Sequence, residues 1–232
     1  MEKWALIVAG GSGTRMGAAI PKQFLPLGGV PLLVHTATAF QQAYPDIQLV
    51  IVLPHTHLQT GKESLRSLPG AERFICTAGG ETRFHSVKNG LQFIPAGCIC
   101  FVHDAVRCLV SIQLIRRCYE TALQHGHAIP AIAPTDSLRF ESTAGSYRTL
   151  DRSKVKLIQT PQTFHSKLLK TAFNQPYHPS FTDEASVLEQ SGVDIKLVEG
   201  ETTNLKITTP FDLMIAGEIL AQRKGFNQDL LS

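Results

Sequence analysis

Two cations, Arg15 and Lys22, stand just beyond a glycine run in the stretch AGGSGTRMGAAIPKQ at residues 9–23. Gly10, Gly11 and Gly13 permit φ > 0 and let backbone N–H groups approach an anion with no side chain between. An arginine fork and a mobile lysine point charge then suit the oxygens of a triphosphate lying across the loop. Fixed cations there favour attack at an α-phosphate, because charge grows on the equatorial oxygens and on the departing pyrophosphate. Such chemistry normally uses a divalent ion held by a carboxylate together with phosphates, and Asp104, closing the run CICFVHD at 98–104, is the candidate ligand. Arg107 follows three residues later, available to a second phosphorylated substrate. The segment GGETR at 79–83 repeats the paired glycines that allow close backbone approach to a ligand.

Other chemistries fail on residues. No G-x-x-x-x-G-K-[ST] string is present. The dinucleotide fingerprint counted from Gly11 needs a third glycine where Met16 stands, with Gly17 one residue late, and its acid about 20 residues on is missing. His55 with His57 and His125 with His127 lack a third ligand nearby, and neither G-x-S-x-G nor a legible Ser-His-Asp arrangement occurs.

The elements that must carry these residues read as an alternation. Near-continuous apolar runs at 4–9, 48–54, 73–78, 98–104 and 127–134 have the character of strands buried on both faces. Helical stripes at 31–43, 82–94 and 111–125 separate them, the last behind a Ser111 N-cap. That order predicts a mostly parallel sheet with helices on both faces, whose ligands lie beyond the carboxyl ends of the strands, where the glycine loop falls. The rhythm breaks at 135–160, where SLRFE, SYRTL and KVKLIQT are charged and poor in large apolar residues, a protruding β-arm that needs a partner surface. Helix and strand return at 166–174, 182–191, IKLVEG and NLKIT, with a last helix starting at Pro210 and a frayed tail from Gly225.

Bulk properties agree. A chain of 232 residues buries roughly 70–75% of its unfolded surface, enough for one domain with an appendage. Lys and Arg total 22 against 19 acids, too balanced for a general nucleic-acid binder. No apolar run approaches the ~18 residues needed to span a bilayer. The five cysteines form no C-x-x-C pair and read as buried free thiols, which fits a reducing cytoplasm.

Taken together, AGGSGTRM with PKQ, GGETRFHSV at 79–87, VHDAVR at 102–107, TDS at 135–137, LDR at 150–152, TPQTF at 160–164, TDEAS at 182–186 and NLKIT at 204–208 resemble the 2-C-methyl-D-erythritol 4-phosphate cytidylyltransferases, in that family's order from residue 4 to about 215. The resemblance implies a single Rossmann-like, three-layer α/β nucleotidyltransferase domain over 1–232, with 135–160 as an inserted dimerisation arm. It implies transfer of a cytidylyl group from CTP to methylerythritol 4-phosphate, with Mg2+ at Asp104. Arg15, Lys22 and Lys206 would be catalytic. Ala9, Gly10, Gly11, Gly13, Gly79, Gly80, Glu81, Ser86 and Ala105 would border the nucleotide. Asp104, Arg107, Ser137 and Lys206 would hold the polyol phosphate, and Arg152 and Thr160 would reach the site of a second subunit in a homodimer. Two departures stand out: Val106-Cys108 where the family has D-A-A-R-P, and Ser137 where it has threonine. Ribitol 5-phosphate cytidylyltransferases share much of this pattern and are the alternative.

Overall fold

The computed structural model describes residues 1–11 and 20–229. Strand β1 (Lys3–Val8) leads towards the glycine loop, and the short pair β2 (Pro26–Leu27) and β3 (Val30–Pro31) precedes helix α1 (Leu32–Ala43). Then follow β4 (Gln48–Leu53), α2 (Leu58–Leu65), β5 (Ile75–Ala78), α3 (Arg83–Leu91), β6 (Ile99–Asp104), α4 (Ile112–His125) and β7 (His127–Ile132). The hairpin β8 (Leu138–Glu141) and β9 (Tyr147–Leu150) comes next, before β10 (Leu157–Ile158), β11 (Gln162–His165), α5 (Ser166–Ala172), α6 (Glu184–Gln190), β12 (Leu197–Glu199) and α7 (Pro210–Asp229).

The main sheet is mixed and largely parallel. Strands β5, β4, β1 and β6 run parallel as neighbours, with Val8 opposite both Val52 and Asp104. Strand β11 enters antiparallel between β6 and β7, and β12 runs parallel along the other edge of β7. The order in which the strands are laid down switches sides between the parallel neighbours β1 and β6, which opens a crevice beyond their carboxyl ends. Burial on both faces explains the unbroken apolar runs. Ala5, Ile7, Leu49, Ile51 and Phe101 face α1 and α4, whereas Leu6, Val50, Val52, Cys100 and Phe164 face α3, α5 and α6. A third cluster of Leu27, Leu32, Val106, Leu109, Ile207 and Ala216 seats α7 beside the crevice.

Close packing of α3 on β1 and β4 depends on Gly90. A Cβ there would overlap Leu6 Cδ1 and come within 2.9 Å of Val52 Cγ2. Gly90→Ala gains about 1 kcal/mol of helix propensity but overpacks a dense layer, at about 1–3 kcal/mol. The expected result is a net loss near 1 kcal/mol in a denaturant melt, with an unchanged denaturant slope.

The fold departs from the sequence expectations at three places. The free-standing arm is shorter than 135–160: β8 and β9 form their own two-stranded sheet, whereas β10 and β11 lie along one edge of β7, with Leu157 opposite Ile132 and Thr163 opposite Ala128. Lys154 and Lys156 masked the apolar side of that strand, on which Ile158 packs into the core. The NLKIT run joins no sheet: it is held by fully buried Ile207, whose N–H donates to the Val106 carbonyl. Helix α7 continues past Gly225 to Asp229. Among the described residues no helix is long and apolar enough to cross a membrane.

Candidate active site

Asp104 is the hub. It ends β6 and is tied to β1 through the Ala105 N–H, which donates to the Val8 carbonyl at 3.0 Å. Its carboxylate meets three cations: Lys206 Nζ lies 2.8 Å from Oδ2, Arg107 Nε 3.8 Å from Oδ2, and Arg83 Nη2 3.2 Å from Oδ1. Burial alone would raise the Asp104 carboxyl, but Arg83, Lys206 and Arg107 together hold it well below the usual carboxylate range. Asp104 is therefore ionised near pH 7.

Each cation has its own mount. Arg83 opens α3, whose N-cap is Thr82, and its guanidinium bridges Asp104 to Glu184 at the start of α6. Arg107 donates to the Asn204 carbonyl at 2.8 Å, while its Nε is buried with no hydrogen-bond partner. Burial lowers the Arg107 pKa, with Asp104 acting against it. The segment carrying Lys206 is pinned by fully buried Asn204, whose amide donates to the Thr160 carbonyl at 2.8 Å.

A buried relay supports this hub from behind. The Asp104 N–H donates to Thr160 Oγ1 at 3.1 Å, and Thr160 Oγ1 meets His103 Nδ1 at 3.0 Å. His103 Nε2 lies 3.2 Å from the Arg107 carbonyl. A carbonyl only accepts, so Nε2 carries the proton and Nδ1 accepts from the threonine hydroxyl. Burial pulls the His103 pKa down to about 4, so the ring is neutral near pH 7.

Two cavities meet at this cluster. The first, about 400 Å³, is lined by Ala9, Gly10, Gly11, Lys22, Glu81 and Ser86 among others. The second, about 280 Å³, is bordered by Arg107, Gln159, Thr160, Gln162 and Asp183. Arg83, Asp104 and Lys206 line both. In the first cavity the glycines act through space rather than through φ: Gly10, Gly11, Gly79 and Gly80 all lie outside the left-handed region. A Cβ on Gly79 would sit 2.8 Å from Ser86 Oγ, whereas the Gly80 N–H donates to that hydroxyl at 3.1 Å. Gln23 closes the far wall by donating to the Ala9 carbonyl at 2.7 Å.

Some expected residues are placed elsewhere. Arg15 and Gly13 lie outside the described residues. Ala105 is wholly buried below the first cavity, its carbonyl taken by Thr36 at 2.8 Å, and the neighbouring Val106 lines the wall instead. Thr160 is not on the arm. It is 4% exposed, borders the second cavity and accepts from the Asp104 N–H of its own chain. Ser137 and Arg152 are exposed at the base of the hairpin, away from both cavities, with Arg152 donating to the Thr135 carbonyl at 2.6 Å. Sequence reasoning missed Arg83, Glu184 and His103, although each sits inside a quoted motif.

An open crevice at the switch in strand order of an α/β sheet, glycine-walled on one side and cation-lined where it meets a second cavity, defines a nucleotide-using transferase of the Rossmann-like class. The model of the 2-C-methyl-D-erythritol 4-phosphate cytidylyltransferase family matches residues 4–222, and the chain belongs to that family. It is 47% identical over 220 residues to the 2-C-methyl-D-erythritol 4-phosphate cytidylyltransferase of Bacteroides thetaiotaomicron, covering 95% of this chain and 100% of the relative. The solved 2-C-methyl-D-erythritol 4-phosphate cytidylyltransferase of Thermus thermophilus is 31% identical with a TM-score of 0.75, over 94% of this chain and 98% of that one. The 4-diphosphocytidyl-2C-methyl-D-erythritol synthase of Anaerococcus prevotii, 25% identical, superposes with a TM-score of 0.81 over 95% of this chain and 98% of that one. The chain is thus a cytidylyltransferase acting on 2-C-methyl-D-erythritol 4-phosphate in non-mevalonate isoprenoid synthesis.

Proposed function

We infer that the transfer takes place at the junction of the two cavities. Supporting this above all is the sharing of Arg83, Asp104 and Lys206 by both. CTP occupies the glycine-walled cavity, its base beside Gly79, Gly80 and Ser86, with Glu81, Ala9, Gly10 and Gly11 bordering the rest. Lys22 faces the triphosphate, joined by Arg15 and Gly13 of the loop. The polyol phosphate takes the second cavity, whose border includes the guanidinium-bearing Arg107. A phosphate oxygen of methylerythritol 4-phosphate attacks the α-phosphorus of CTP, a new P–O bond forms, and the bond to the bridging oxygen breaks to release pyrophosphate. The attacking oxygen is already anionic, so no strong general base is required. Catalysis rests on positioning and on the charges of Lys22 and Lys206.

Among the described residues no group of three or more His, Cys, Asp or Glu side chains could cage a metal. A single buried carboxylate facing both cavities instead fits Mg2+ that brings phosphate and water ligands of its own. Asp104 would hold it, and the ion would supply charge neutralisation along the triphosphate.

The hairpin supports a homodimer. Phe140 and Tyr147 are 48% and 66% exposed on a two-stranded sheet that has no core of its own. Arg152 and Ser137, at the hairpin base, would complete the neighbouring site. Arg152→Ala is expected to raise the KM for the polyol phosphate about tenfold, with CTP affinity unchanged. A fully active monomer in size-exclusion chromatography would contradict the shared site. Crystals soaked with CTP and Mg2+ test the placement: cytosine against Gly79–Ser86 supports it, and nucleotide bound elsewhere refutes it.

A further inference from the structure

Glu184 is 1% exposed, and its carboxylate makes both of its hydrogen bonds to Arg83. A carboxylate buried that deeply is costly unless it is paired. Its partner lies in a different part of the chain, at the first turn of α3, so the pair ties α6 to α3 across the crevice. Arg83 spends its remaining donors on one atom only: Nε and Nη2 lie 3.3 and 3.2 Å from Asp104 Oδ1. The two oxygens of Asp104 are thereby divided. Oδ1 belongs to the Glu184–Arg83 bridge, and Oδ2 faces Lys206 and Arg107. A planar guanidinium can span two carboxylates in fixed directions, which a lysine ammonium cannot do. Burial opposes the charge on Arg83, but Glu184 and Asp104 outweigh it and keep the guanidinium protonated.

We propose that Arg83, anchored by Glu184, is a positioning residue for the transfer: it fixes the rotation of the Asp104 carboxylate so that Oδ2 alone is presented to Lys206 and to Arg107, the cations it orients at the junction of the two cavities. This rests on Asp104 being the working carboxylate, as inferred above. A misplacement of about 1 Å at a reacting centre can cost on the order of 100-fold in rate.

The test uses the full-length enzyme with CTP, methylerythritol 4-phosphate and Mg2+, and compares Arg83→Lys, Glu184→Gln, the double variant and Asp104→Asn. The expected result is a kcat about 10- to 100-fold lower in Arg83→Lys and in Glu184→Gln, with KM for either substrate within about twofold. The double variant should be no slower than the slower single one, because the pair acts as a unit. Multiplicative losses, a KM effect at unchanged kcat, or a lower melting temperature with unchanged kcat would each overturn the proposal. Should Glu184→Gln fail to fold, Arg83→Lys decides by the same split of kcat from KM. Normal turnover by Asp104→Asn would refute the underlying site reading instead. Loss there alongside normal Arg83→Lys and Glu184→Gln would refute only the positioning role.

Discussion

Asp104→Asn is expected to lower kcat by about 10²–10³-fold while the protein still folds. The side chain keeps its shape but loses the charge that three cations surround. Arg83 retains Glu184, yet Lys206 and Arg107 are left facing each other and the cavities without their carboxylate. Removing one partner of a buried ion pair typically costs 3–5 kcal/mol. Both cavities admit water to Lys206, whose side chain is 42% exposed, so the stability loss should fall at or below the lower end of that range. On the site reading proposed above the loss of rate has two sources: the carboxylate no longer orients Lys206, and the ligand assigned to Mg2+ is gone. If the interaction acts in the transition state, kcat and kcat/KM fall together. Steady-state kinetics beside a denaturant melt separates this from simple unfolding. A variant that is unstable but normally active per folded molecule would show that Asp104 only holds the fold.

Lys206→Ala is expected to have the second largest effect, about 10²-fold in kcat, with CTP binding changed by only a few fold. Lys206 lines both cavities and sits 2.8 Å from Asp104 Oδ2, where its ammonium can face nucleotide and acceptor together. Its mobile ammonium can follow charge that develops on the α-phosphate. Its loss also leaves Asp104 Oδ2 with Arg107 alone, at 3.8 Å. Equal losses in CTP affinity and in turnover, measured by equilibrium binding and by pyrophosphate release, would reduce Lys206 to a binding residue.

Much of this site was legible because its parts are local. The helix beginning at residue 112 follows Ser111, whose hydroxyl accepts from the Leu114 N–H as an N-cap should. Asp104 ends an apolar run with the character of a buried strand, and the alternation of runs and stripes implied a mostly parallel sheet around it. Arg83 and Glu184 escaped notice because their meaning is not local. They are 101 residues apart, and neither spacing nor composition predicts that their side chains meet. The strand at 162–165 was hidden by its polarity, since Gln162 and Thr163 are buried through hydrogen bonds and packing rather than hydrophobicity. For Gly10 and Gly79 the structural reason differs from the one the sequence suggested: a Cβ there would crowd Ser86 Oγ, and neither backbone is left-handed.

The most direct measurement is pyrophosphate release by the purified protein with CTP and Mg2+, supplied in turn with methylerythritol 4-phosphate, ribitol 5-phosphate and no acceptor. The account predicts one pyrophosphate per CDP-linked methylerythritol formed, and only background release in the other two reactions. Release with ribitol 5-phosphate but not with methylerythritol 4-phosphate, or no release with either, would contradict it.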